Sequence, residues 1–154
     1  MSEKVGRVES IFLARSTGVL PHEVAVAVGH PGRGLEGDRY FDDPDPDACD
    51  ITLIEMERLE GMKADFGVAL RPGASRRQVH VRGVNLADFV GRRFRVGEIE
   101  CEGEEHCEPC THLVGLLSTQ AVLKGLLHSG LRARIVTGGT VRSGDRVELS
   151  PAVS

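Results

Sequence analysis

Residues 75–101 read SRRQVHVRGVNLADFVGRRFRVGEIEC, and their patterning decides the fold class. Ser75 to Arg82 alternates polar and apolar side chains as a half-buried strand does, and Asn85 to Val90 allows one helical turn. Phe94-Arg95-Val96 and Ile99-Glu100-Cys101 form two further strands joined through Gly97. The same texture continues on both sides. Val5 to Arg15 alternates and then turns apolar, and His22 to Val28 reads as its hairpin partner across the turn-like STGVLP. Ile51 to Ile54 is a short β-branched run followed by Met56, Leu59, Met62 and Phe66 at helical spacing. Towards the C-terminus, Ser118 caps a helix running to Leu127 and ended by Gly130. Arg132 to Val136 and Arg146 to Leu149 are strands around turns at Gly138-Gly139 and Ser143-Gly144-Asp145. Many short strands with two or three short helices predict a mainly β protein, a closed or strongly bent β-barrel, and not a doubly wound sheet.

At 154 residues, 40% of them hydrophobic, the chain is expected to form a single domain over 1–154 with a core that needs no disulfide or structural metal. Nineteen glycines against one Tyr and no Trp fit tight turns and leave no stacking platform for bases. A net charge of −4 excludes a general nucleic-acid binder, which needs a basic face. The charge is nevertheless uneven. Arg71, Arg76, Arg77, Arg82, Arg92, Arg93 and Arg95 face one acid, Asp88, and then Glu98, Glu100, Glu102, Glu104, Glu105 and Glu108 follow. No apolar run approaches the roughly 18 residues of a membrane span, and the N-terminus lacks a secretory signal, so a cytoplasmic protein with free thiols is expected.

The densest chemistry lies in His106-Cys107-Glu108-Pro109-Cys110-Thr111-His112. Thiolates are the soft nucleophiles and metal ligands of proteins, and Pro109 restrains how Cys110 is presented. Flanking histidines or folded-in arginines would lower the Cys110 pKa, whereas the upstream glutamates would raise it. Cys107 and Cys110 form a C-x-x-C pair. A thioredoxin-type motif would open a helix after a strand, which the THLVG continuation does not resemble. Zinc held by the two cysteines with His106 or His112 is an alternative, as is a plain buried Cys110.

The arginines offer bidentate partners for an anion. Arg76 and Arg77 are neighbours, so on a strand only one can face a given pocket, and Arg76 shares its parity with Gln78 and His80. Arg92, Arg93 and Arg95 read as a solvated strand face. Gly34 and Gly37 read as turn glycines with positive φ leading into Asp38-Arg39, placed either for an ion pair or for binding an anion. His22, His30, His80 and His128 read as surface or satisfied polar residues, and Asp42 to Asp50 as a solvated acidic loop.

These residues together resemble the MOSC domain, the module named for the C-terminal part of molybdenum cofactor sulfurases. The resemblance rests on GLEGDRY at 34–40, SRRQV at 75–79 with GVNL at 83–86, GRRFRVG at 91–97, and CEPC with His112-Leu113. It implies a β-barrel-like fold and makes Cys110 the sulfur carrier or molybdenum ligand; Cys107, by its C-x-x-C spacing, reads as a resolving or redox partner. The resemblance also implies cofactor contacts at Asp38, Arg39, Arg76, Arg77, Asn85 and His112. The usual asparagine after the paired arginines is Gln78 here, one methylene longer.

The implied function is a molybdopterin-dependent protein that holds the metal by a thiolate and reduces N-hydroxylated small molecules. Its electrons would come from a partner protein, since no flavin, haem or iron–sulfur signature is present. The alternatives are a carrier that takes sulfur from a donor protein as a Cys110 persulfide, and a zinc-stabilised binding domain. Neither nucleic acid nor membrane is expected as a partner.

Overall fold

The computed structural model describes residues 5–16, 19, 21–43, 49–60, 77–107 and 130–151. Eleven strands form along them: β1 (Gly6–Leu13), β2 (His22–Val24), β3 (Val26–His30), β4 (Gly34–Leu35), β5 (Ile51–Glu55), β6 (Val79–Arg82), β7 (Arg93–Val96), β8 (Ile99–Cys107), β9 (Gly130–Thr137), β10 (Gly139–Arg142) and β11 (Arg146–Leu149). The main sheet runs β11-β7-β8-β9-β5-β6-β1-β2, and a β11–β1 pairing closes seven of these strands into a barrel. β1 is long enough to serve two neighbours on one side. Its first residues pair with β11 (Gly6↔Val147), and its last pair with β2 (Ile11↔Val24). A smaller sheet, β10-β3-β4, lies beside the barrel.

Period-two alternation fills the barrel. Ile51, Leu53, Val79, Val81, Ile11, Phe94, Val96, Ile99, Cys101, Leu131, Ala133 and Val147 form one buried cluster. The alternate residues of β1, β5 and β6 face away from it, yet Phe12, Thr52, Ile54 and His80 are buried as well. That second buried face underlies the candidate site.

Three sequence expectations are refined here. His22 to Val28 is not one strand: the chain bends at Ala25, so β2 joins the barrel sheet and β3 the smaller one. β8 extends well past Cys101 because the glutamates have arginine partners. Register places Arg93 opposite Glu102 and Arg95 opposite Glu100, while Arg132 and Arg134 of β9 reach Glu105 at 3.3 Å and Glu102 at 3.0 Å. The basic and acidic stretches are thus neighbouring strands that neutralise one another. The helical turn forms as a 3-10 helix, Leu86–Phe89, whose N-cap Asn85 accepts a hydrogen bond from the Ala87 amide. Residues 56–60 are helical, whereas Met62, Phe66 and the helix expected over Ser118 to Leu127 lie outside the described residues.

His80 is not a surface residue. It is 3% exposed, edge-on to the Phe12 ring at 4.9 Å. Burial drives its pKa from the ordinary 6.5 down to about 4, so it folds neutral. The unfolded chain binds a proton near pH 6.5 that the folded chain refuses until about pH 4. The stability from this neutral imidazole is therefore fully present above 6.5 and lost as pH falls through that window, by about 3 kcal/mol at most. Urea titrations from pH 7 to pH 4 should show that decline in the wild type and a shallower one in His80→Leu. Parallel slopes would refute the assignment.

Candidate functional site

At the C-terminal end of β1 the chain and the loop after β4 hold each other. The Ala14 amide donates to Asp38 Oδ1 at 3.0 Å, and the Arg39 amide donates to the Ala14 carbonyl at 2.7 Å. Gly34 and Gly37, at φ of 101° and 86°, make the turns that bring the loop there. Gln78, just ahead of β6, supplies the third tie. Its amide nitrogen donates to Asp38 Oδ2 at 2.8 Å and its amide oxygen accepts from the Thr52 backbone at 2.9 Å. The Gln78 backbone amide then donates to Thr52 Oγ1 at 3.0 Å. Three chain segments are cross-braced around one buried carboxylate.

Above this brace lies a cleft whose walls include Phe12, Pro21, Arg39, Tyr40, Thr52 and Arg77. Its cavity is about 40 Å³, room between the described walls for a small charged group but not for a whole pterin. The Arg39 guanidinium stacks on the Tyr40 ring at 4.4 Å. Its Nε is buried and has no hydrogen-bond acceptor among the described residues, a costly state that an anion arriving in the cleft would relieve.

Of the expected site residues, Asp38, Arg39 and Arg77 therefore meet in one cleft, with Asp38 turned inward to the protein. Asn85 lies apart as the helix cap, where the neighbouring Leu86 amide donates to the buried Glu55 carboxylate at 3.1 Å. Burial raises the Glu55 pKa above the ordinary carboxylate range. Arg92, Arg93 and Arg95 are exposed. Cys110, Arg76 and His112 lie outside the described residues, and Cys107 is described through its backbone alone. The backbone of Cys107 is two residues beyond Glu105, which aligns through Arg132 with Thr52. Two strand spacings and two residues of rise put it roughly 12 Å from the Thr52 backbone.

Sequence reasoning passed over Cys49. It is half-buried beside Arg132 and Arg77. Burial raises its thiol pKa, partly offset by the charge and hydrogen bond of Arg132. Its one signal was position, immediately before Asp50. That aspartate does not sit in a solvated loop either, because its carboxylate accepts from the Gly32 and Ile135 amides at 3.1 and 2.8 Å. Among the described residues no group of three or more His, Cys, Asp or Glu side chains is placed to hold a metal ion. None of the described helices is long and apolar enough to cross a membrane.

A closed barrel with an arginine-lined cleft defines a small β-barrel protein. A sequence model of the MOSC domain matches residues 45–148, and the chain belongs to that family. Its fold is shared with the YuaD protein of Bacillus subtilis at 17% identity, with a TM-score of 0.80 and coverage of 96% of this chain and 97% of that one. YiiM from Geobacillus stearothermophilus superposes with a TM-score of 0.72 at 18% identity, covering 95% and 75% of the two chains. YiiM from Escherichia coli does so with a TM-score of 0.67 at 19% identity, covering 96% and 71%. No curated protein matches the sequence significantly.

Proposed function

We propose that this MOSC protein binds the molybdenum cofactor, with the Cys110 thiolate holding the metal and Arg39 and Arg77 receiving the anionic end of the pterin. The observation that carries this reading is the Arg39 Nε, buried with no acceptor among the described residues in a cleft that Arg77 also lines. Guanidinium groups keep their charge at any physiological pH and fit phosphate geometry. Chain reach supports the second half. Cys110 follows Cys107 by three residues, which span up to about 10 Å, comparable to the distance from the Cys107 backbone to the cleft wall.

When bound, the cofactor supplies two-electron redox chemistry at the metal. The chain's own part is to hold and orient. In this reading Cys110 donates one thiolate, Cys107 is its redox partner, and Arg76 and His112 extend the pocket. Asp38 anchors the loop that carries Arg39, and Asn85 contributes through the helix it caps. The reaction served is reduction of N-hydroxylated small molecules, with electrons delivered by a partner protein.

Metal and pterin analysis of gently purified protein tests this directly. Molybdenum near one per chain with pterin fluorescence is expected. One tightly held zinc per chain, or a Cys110→Ser protein that keeps its molybdenum, would overturn the assignment. Arg39→Gln should weaken pterin retention by about tenfold, the loss of one charge-assisted contact.

A further inference from the structure

Asp38 and Arg39 are adjacent, opposite in charge and partly shielded from water, yet they do not pair. Each Asp38 oxygen is already committed: Oδ1 to the Ala14 amide, and Oδ2 to the Gln78 amide nitrogen at 2.8 Å and the Tyr40 backbone at 3.2 Å. Gln78 in turn has no rotational choice. Its oxygen must face the Thr52 N–H donor, which aims its NH2 group at the carboxylate. Gln78 is 6% exposed, and its side chain spans the whole gap between Thr52 and Asp38. An asparagine, one methylene shorter, would release one end.

We infer that Gln78 is a positioning residue that withholds Asp38 from Arg39, and so keeps the Arg39 guanidinium available to an anionic ligand. Asp38 immediately precedes Arg39 in the chain and lines the same cleft, so a released Oδ2 would compete for the Arg39 Nε–H, and an intramolecular carboxylate outcompetes a dilute anion. Gln78 also lines the cleft, but its side-chain amide is spent on Thr52 and Asp38, so its effect on the ligand runs through Arg39. This rests on the reading that Arg39 receives an anion, but the contact between Asp38 and Arg39 can be observed with no ligand present.

The test follows the Arg39 Nε–H signal by 15N NMR, with inorganic phosphate as the probe. In the wild type the signal should move on phosphate addition. In Gln78→Asn it should be shifted and protected from exchange before any phosphate is added, and phosphate affinity should fall by about tenfold or more. Adding Asp38→Asn to Gln78→Asn should bring affinity back to within about threefold of wild type, because the competitor has lost its charge. A residue serving only the fold would not be rescued by a second, further destabilising change. Should Gln78→Asn not fold, Gln78→Met keeps the length without the donor and is read the same way. A phosphate-free Arg39 signal identical in wild type and variant overturns the role assigned to Gln78. A wild-type signal that phosphate does not move overturns the anion reading alone.

Discussion

Asp38→Ala should lower the free energy of unfolding by about 3–5 kcal/mol, with the urea m-value unchanged. The carboxylate serves three donors, and two of them, the Ala14 amide and the Gln78 side-chain amide, are buried. Truncation leaves both without an acceptor where water has little access, and each orphaned donor costs about 1–3 kcal/mol. The Tyr40 amide is nearer the surface and can turn to solvent, so it adds little. Asp38→Asn separates charge from shape. Its oxygen can still serve Ala14, but its NH2 then meets the NH2 of Gln78, so an intermediate loss is expected. If Asp38→Ala costs under about 1 kcal/mol, the brace does not exist as described and the cleft has no rigid floor.

The barrel was legible because its signal is local. Alternation in Val79 to Arg82 and Phe94 to Cys101 places one side chain inside and the next outside, and the strands duly fill one core. What alternation cannot carry is anything set by partners distant in sequence. The continuation of β8 through its glutamates depends on Arg132 and Arg134, some thirty residues later. The same holds for His80, whose burial comes from packing on the outer barrel face.

The candidate site was half legible for a related reason. Residue chemistry singled out Arg39, and two positive-φ glycines marked the loop that carries it. Of the arginine pair, Arg77 alone lies among the described residues. β6 begins only at Val79, so Arg77 stands before the strand, where the rule of opposite faces does not hold, and it lines the cleft. Nothing in the sequence revealed that Gln78 would be spent on Thr52 and Asp38, a tie across separations of 26 and 40 residues. The length of the Gln78 amide matters because it spans from Thr52 to Asp38, and only the folded chain shows that span.

Gly103→Ala should also be costly, and for a purely steric reason. Gly103 lies in β8 just before its bulge, with its amide donating to the Arg92 carbonyl at 3.0 Å and its own carbonyl accepting from Gly91 at 2.9 Å. A methyl group there would collide with the Phe89 carbonyl oxygen and carbon, which are backbone atoms with no rotamer to yield. Strand β8 and the 3-10 helix would have to separate, straining those two hydrogen bonds and opening the stacked Phe89–Phe94 pair, whose rings are 4.7 Å apart. Overpacking of about 1–3 kcal/mol plus about 1 kcal/mol for each main-chain bond gives a loss of about 3–5 kcal/mol. Gly91 provides the comparison. Its φ is +73° but none of the described residues lies within 4 Å of a Cβ placed there, so Gly91→Ala should cost only the left-handed backbone strain of about 1–2 kcal/mol. Chemical denaturation of the two variants side by side separates closeness from torsion. Equal losses would mean that β8 can move away from Phe89, and that the barrel wall at this end is softer than its packing indicates.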